Sequence, residues 1–122
     1  KELEKTALYQ WMYAHCQDYG FILRYPADKQ DITGVMYEPW HFRYVGVDAS
    51  MEMRETGECL EEYVDKIHSY TPANPLEITA DGKQYKVFYV GIGGTNDVDV
   101  TIPGKTYTAS GDNISGYIVT CE

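Results

Sequence analysis

The sequence predicts an α+β fold in which helices flank a small antiparallel sheet and a small all-β module follows. Three observations carry that prediction. A helical pattern is closed by Gly20, short strand-like runs fill Phe21 to Val45, and the pattern changes to turn-punctuated strands after Tyr70–Pro75.

From about Glu4 to Tyr19, the residues Leu8, Trp11, Met12 and His15 recur at the i, i+3, i+4, i+7 spacing of one apolar helical face. Gly20 is the expected C-terminal cap. Phe21 to Tyr25 reads as a short strand, Pro26 to Asp31 as a turn or loop, and Val35 to Tyr37 as a second strand. Trp40 to Val45 alternates, with Trp40, Phe42 and Tyr44 on one face of a third strand. Asp48 is the expected N-cap of a helix through Met51 and Met53 that Gly57 ends, and Leu60 to Ile67 repeats the helical pattern.

Residues 71–75 contain two prolines and no period, so they divide residues 1–70 from a β-rich module at 76–122. In that module Asp81-Gly82, Gly93-Gly94 and Pro103-Gly104 are hairpin signals. They separate runs at Gln84–Val90, Asp97–Ile102 and Thr106–Thr108, and Tyr117–Thr120 supplies a fifth strand. No helix is expected there. So small a module buries little core of its own and is expected to pack on its neighbour or on a partner.

The length, 122 residues, fits one domain or a small domain with an appendage. Ten Lys and Arg face nineteen Asp and Glu, a net charge of −9, which argues against a nucleic-acid partner because a phosphate footprint needs clustered cations. No stretch approaches the roughly 18 apolar residues of a transmembrane span. The chain begins with Lys1 rather than Met, as a processed or internal piece would. Cys16, Cys59 and Cys121 form no C-x-x-C pair; their spacing is compatible with a Cys16–Cys59 disulfide and with three free thiols.

Chemistry concentrates in Tyr37-Glu38-Pro39-Trp40-His41-Phe42-Arg43-Tyr44-Val45-Gly46. A carboxylate and an imidazole three residues apart can serve one metal centre, the His as ligand and the Glu as general base. Pro39 excludes a helix interior, and a regular strand would send Glu38 and His41 to opposite faces. A turn or bulge at Pro39 is therefore required to bring both to one site. Elsewhere plainer readings hold. His15 is expected to be a core or boundary residue, His68 a surface residue, and Glu58, Glu61 and Glu62 a solvated helical face. Arg24 and Arg43 are expected to form ion pairs, Tyr25, Tyr37 and Tyr44 to pack with wet hydroxyls, and Gly91-x-Gly93-Gly94 to form a turn.

Tyr19 to Pro26, Asp31-Ile32-Thr33-Gly34, Tyr37 to Gly46 and Leu60-Glu61-Glu62-Tyr63, taken in order, resemble the C-terminal half of VanY-type D-alanyl-D-alanine carboxypeptidases. The resemblance spans about Tyr9 to Tyr63. It implies a zinc enzyme of the bacterial cell surface that removes the terminal D-alanine from peptidoglycan stem peptides. By motif position, it implies Glu38 as general base, His41 as a zinc ligand and Trp40 as a border of the substrate pocket. The family's other two ligands lie in an S-x-H-x-x-G-x-A-x-D segment that does not occur here, so the chain is expected to carry half of a zinc site. A missing N-terminal half or a homodimer would complete the domain. The competing expectation is a non-catalytic fragment that binds cell wall or protein through its β-module.

Overall fold

The computed structural model describes residues 2–91, 107–111 and 116–122. It comprises two compact units, Lys1–Tyr63 and Val64–Glu122. The expected runs at Asp97–Ile102 and the turns at Gly93-Gly94 and Pro103-Gly104 lie outside the described residues. The segment 71–75, expected as a linker, holds a turn in which Thr71 and Asn74 bond each other's main chain.

In the first unit a 3-10 turn at Leu3–Lys5 leads into α1 (Ala7–His15), which Thr6 caps by accepting a hydrogen bond from the Tyr9 amide. A second 3-10 turn, Cys16–Tyr19, carries the chain to Gly20. The buried side of this segment is Tyr9 and Cys16, whereas Leu8, Trp11 and His15 are exposed, which corrects the expected apolar face. Apolar residues surround α1 on every side, so Tyr9, Met12 and Cys16 satisfy helical spacing as well as the set chosen from the sequence. His15 is a surface residue, its ring 4.6 Å from that of Trp11 and its Nδ1 3.7 Å from Asp18.

Gly20 connects α1 to the sheet, and its φ of +89° is a conformation that side chains oppose. Its carbonyl accepts the amides of Val45 and Gly46. A Cβ there would stand 2.6 Å from the Tyr44 ring. The sheet itself is a two-stranded antiparallel ribbon, β1 (Phe21–Leu23) with β2 (Phe42–Tyr44), in which Leu23 faces Phe42 and Phe21 faces Tyr44.

Between these strands the chain departs from expectation twice. The polar run after Pro26 coils into a 3-10 turn, Ala27–Lys29, and a short helix, α2 (Gln30–Thr33). Val35–Tyr37 forms no strand, because side chains take its donors: Thr33 Oγ1 accepts the Val35 amide and Gln30 Oε1 the Tyr37 amide. Helix α3 (Val47–Thr56) begins two residues earlier than expected, with Gly46 as N-cap and Asp48 inside the first turn, and it ends at Gly57 as the sequence indicates. Ser50, fully buried, donates from its hydroxyl to the Gln17 carbonyl at 2.8 Å and thereby ties α3 to the Cys16–Tyr19 turn. Helix α4 (Leu60–Ile67) follows and runs across the boundary between the units.

In the second unit four strands, β3 (Leu76–Ala80), β4 (Lys83–Gly91), β5 (Tyr107–Gly111) and β6 (Gly116–Cys121), form an antiparallel sheet in the order β3-β4-β6-β5. Asp81 and Gly82, both at positive φ, make the two-residue turn that sets Ala80 opposite Lys83. Phe88, Val119 and Cys121 form its buried cluster, with Tyr70 and Val90 packed against them. No helix occurs among the described residues of 76–122. All three cysteines are free and buried, and burial pushes each thiol above its ordinary range.

Substituting Gly20→Ala is expected to cost about 1–3 kcal/mol through its left-handed backbone, with the Tyr44 clash in addition. Urea denaturation followed by tryptophan fluorescence checks this, and a midpoint equal to that of the parent chain would refute it.

Candidate functional site

The site is built on a turn. The His41 amide donates to the Glu38 carbonyl at 3.2 Å, closing Glu38-Pro39-Trp40-His41 into a β-turn with proline at its second position, where the fixed φ of proline is favourable. Trp40 therefore stands in the turn, which corrects its expected place in the strand, and it is 64% exposed. The turn brings Glu38 Oε1 to 3.1 Å from His41 Nδ1, so the carboxylate and imidazole share one site. Their side chains remain part exposed and within reach of solvent.

Two main-chain bonds place the turn against the end of β1. The Arg24 amide donates to the His41 carbonyl at 2.8 Å, and the Glu38 amide donates to the Tyr25 carbonyl at 3.0 Å. The Tyr25 ring meets the His41 ring edge to face at 5.1 Å, and the Arg24 guanidinium lies 4.5 Å from the centre of the Tyr25 ring. Sequence reasoning left Tyr25 as an ordinary strand tyrosine. Its place beside His41 depends on a contact sixteen residues along the chain, which no local pattern encodes.

Arg24 forms the expected ion pair, and its partner corrects the reading of the acidic run. Both guanidinium terminal nitrogens donate to the two carboxylate oxygens of Glu61 at 2.9 Å. Lys29 reaches Glu62 at 2.9 Å, and Glu62 also accepts the Cys59 amide at 3.0 Å. Two of the three carboxylates thus fasten the segment between β1 and α2 to the first turn of α4. Burial works to raise the Glu61 carboxyl, but the Arg24 hydrogen bonds and charge outweigh it and hold it below the usual range. The Cys59 amide and Lys29 lower Glu62, and Glu62 in turn raises Lys29.

A separate cavity of about 330 Å³ is lined by Gln17, Leu23, Lys29, Arg54 and Cys59 among others and does not include Glu38, Trp40 or His41. Its cations are occupied, Lys29 by Glu62 and Arg54 by Asp18 at 3.1 Å. Among the described residues no three His, Cys, Asp or Glu side chains gather as a metal would require. One imidazole with an adjacent carboxylate does not fit a zinc ion by itself, since structural and catalytic zinc sites use at least three protein ligands. His68 lies in the second unit, its ring 4.2 Å from Tyr89.

Residues 1–47 match the family model described as VanY: D-alanyl-D-alanine carboxypeptidase. A D-alanyl-D-alanine carboxypeptidase of Enterococcus faecium is 38% identical over 120 residues, which cover 98% of this chain and 38% of that protein. The bifunctional D-Ala-D-Ala dipeptidase and carboxypeptidase VanXYC of Enterococcus gallinarum is 62% identical over 48 residues, 39% of this chain and 25% of its own length. Among solved structures, the vancomycin-resistance D,D-dipeptidase VanXYg in complex with a D-Ala-D-Ala phosphinate analogue matches with a TM-score of 0.76 and 38% identity over 88% of this chain and 43% of that one.

The fold is thus an α+β fold similar to that of the D,D-peptidases. Residues 1–47 are similar to the VanY-type D-alanyl-D-alanine carboxypeptidases, and the similarity to a carboxypeptidase of that name runs along nearly the whole chain. It spans less than two-fifths of the length of the curated relatives described above. The match to the Enterococcus faecium protein covers 120 of the 122 residues, so the β-rich module belongs to the shared region.

The Arg24–Glu61 pair makes an acid-dependent contribution with a definite sign. A carboxyl lowered on folding stabilises the protein above its ordinary value of 4.5, and that stabilisation is lost as the pH falls through the lower folded value. Glu61→Gln is expected to lower stability by about 1 kcal/mol at pH 7 and to flatten its decline on acidification below pH 4.5. Urea midpoints measured from pH 7 to pH 3 test this; parallel profiles for the two chains would contradict it.

Proposed function

We propose that this chain forms part of a hydrolase that releases the C-terminal D-alanine from D-Ala-D-Ala-terminated peptidoglycan stem peptides, and that it acts at the bacterial cell surface. The 3.1 Å approach of Glu38 to His41 across the Pro39 turn carries the proposal. A carboxylate within reach of solvent is suited to take a proton from an attacking water and deliver it to the leaving amine. The water oxygen first bonds to the carbonyl carbon, the carbon–nitrogen bond of the resulting tetrahedral adduct then breaks, and the proton ends on the amine of the released D-alanine. The bound ligand of VanXYg, a phosphinate analogue of D-Ala-D-Ala, supports this substrate class.

Trp40, exposed and lying between the two in sequence, is proposed to border the peptide-binding surface. His41 is proposed as one zinc ligand, zinc being the cofactor that the VanY resemblance implies. The remaining donors are proposed to come from the upstream His and Asp of the family pattern, because the described residues gather no three-donor group.

The test has two parts. Titration of the 122-residue chain with zinc is expected to show weak binding that His41→Ala abolishes; one tight zinc per chain would overturn the divided-site proposal. Joining the chain to the preceding segment of the Enterococcus faecium relative is expected to give zinc-dependent release of D-alanine. Glu38→Gln should then lower the rate by about 10²–10⁴-fold. An active chimaera indifferent to Glu38→Gln would refute the assignment of the base.

A further inference from the structure

We propose that Tyr25 is a positioning residue for His41, held in place by a chain of contacts that runs from Glu61 through Arg24 to the Tyr25 ring. The importance of His41 rests on the peptidase reading, whereas the positioning itself is a property of the fold. Imidazole on a turn is free to rotate about two side-chain torsions, and its orientation decides which nitrogen meets Glu38. Here the ring is limited on one side by Glu38, 3.1 Å from Nδ1, and on another by Tyr25, at 5.1 Å and an interplanar angle of 82°.

Tyr25 is itself fixed. Its carbonyl accepts the Glu38 amide, and its ring lies 4.5 Å from the Arg24 guanidinium. The guanidinium is locked by two parallel hydrogen bonds of 2.9 Å to Glu61, in a pair whose arginine side chain is only 12% exposed. A second anchor, Lys29 to Glu62, fastens the same segment four residues beyond Tyr25. Both anchors end on adjacent residues of α4, so this helix serves as the fixed base from which the ring beside His41 is oriented. A well-supported second layer of this kind is what keeps a reacting group within a narrow range of angles.

The experiment is long-range nitrogen–proton NMR of the 122-residue chain, which resolves the ring nitrogens of His41 with His15 and His68 as internal references. In Tyr25→Leu the His41 nitrogen shifts are expected to move toward the averaged values of a freely rotating, tautomer-exchanging ring, while those of His15 and His68 stay in place. Tyr25→Phe, which keeps the ring, should restore the parent spectrum. Glu61→Gln should shift His41 in the same direction by a smaller amount, and it decides the matter if Tyr25→Leu does not fold. Unchanged His41 nitrogens in a folded Tyr25→Leu, or a Tyr25→Phe as altered as Tyr25→Leu, would overturn the proposal. None of these readouts needs zinc or turnover. An inactive chimaera would defeat the peptidase reading and leave this one standing, and unchanged His41 signals would do the reverse.

Discussion

Two main-chain hydrogen bonds join the end of β1 to the Glu38–His41 turn, from the Arg24 amide to the His41 carbonyl and from the Glu38 amide to the Tyr25 carbonyl. Neither bond uses a side chain, so the position of the turn is set by the register of the ribbon, Leu23 opposite Phe42, and survives any side-chain choice compatible with that pairing. The ribbon begins at Gly20, whose carbonyl takes the amides of Val45 and Gly46 where β2 leaves the sheet. A left-handed glycine at one end and a proline turn at the other thus enclose the short hairpin-like frame that carries the site.

Side chains then add what the backbone cannot. A three-residue strand pair is weak alone, and the segment from Arg24 to Lys29 is secured by charge to α4. This is an economical use of cations in a chain with nine more acids than bases. The bidentate Arg24–Glu61 geometry fixes orientation as well as distance, a service that a lysine at position 24 would not provide.

The chemistry follows from the same frame. A regular strand would separate Glu38 from His41, and Pro39 excludes a helix; the turn joins them, and both side chains stay part exposed. The pair offers one base and one imidazole, so the complete reaction centre proposed above draws on donors beyond those gathered among the described residues. The β-rich module, within the region shared with the Enterococcus faecium relative, contains the buried cluster of Phe88, Val119 and Cys121, against which Tyr70 packs.

The sequence by itself determined the α+β class, the glycine ends of the first and third helical segments, the Asp81-Gly82 hairpin and the need for a turn at Pro39. Each of these is written in residues close together, through a fixed φ, a missing Cβ or an odd spacing. Only the tertiary structure decided which face of α1 is buried, since apolar residues occur on every side of that helix and periodicity alone does not choose among them. The pairing of Glu61 with Arg24 and the placement of Tyr25 against His41 were likewise decided at that level. Those contacts join residues sixteen to thirty-seven positions apart, and their energy exists only once the chain has closed the loops between them.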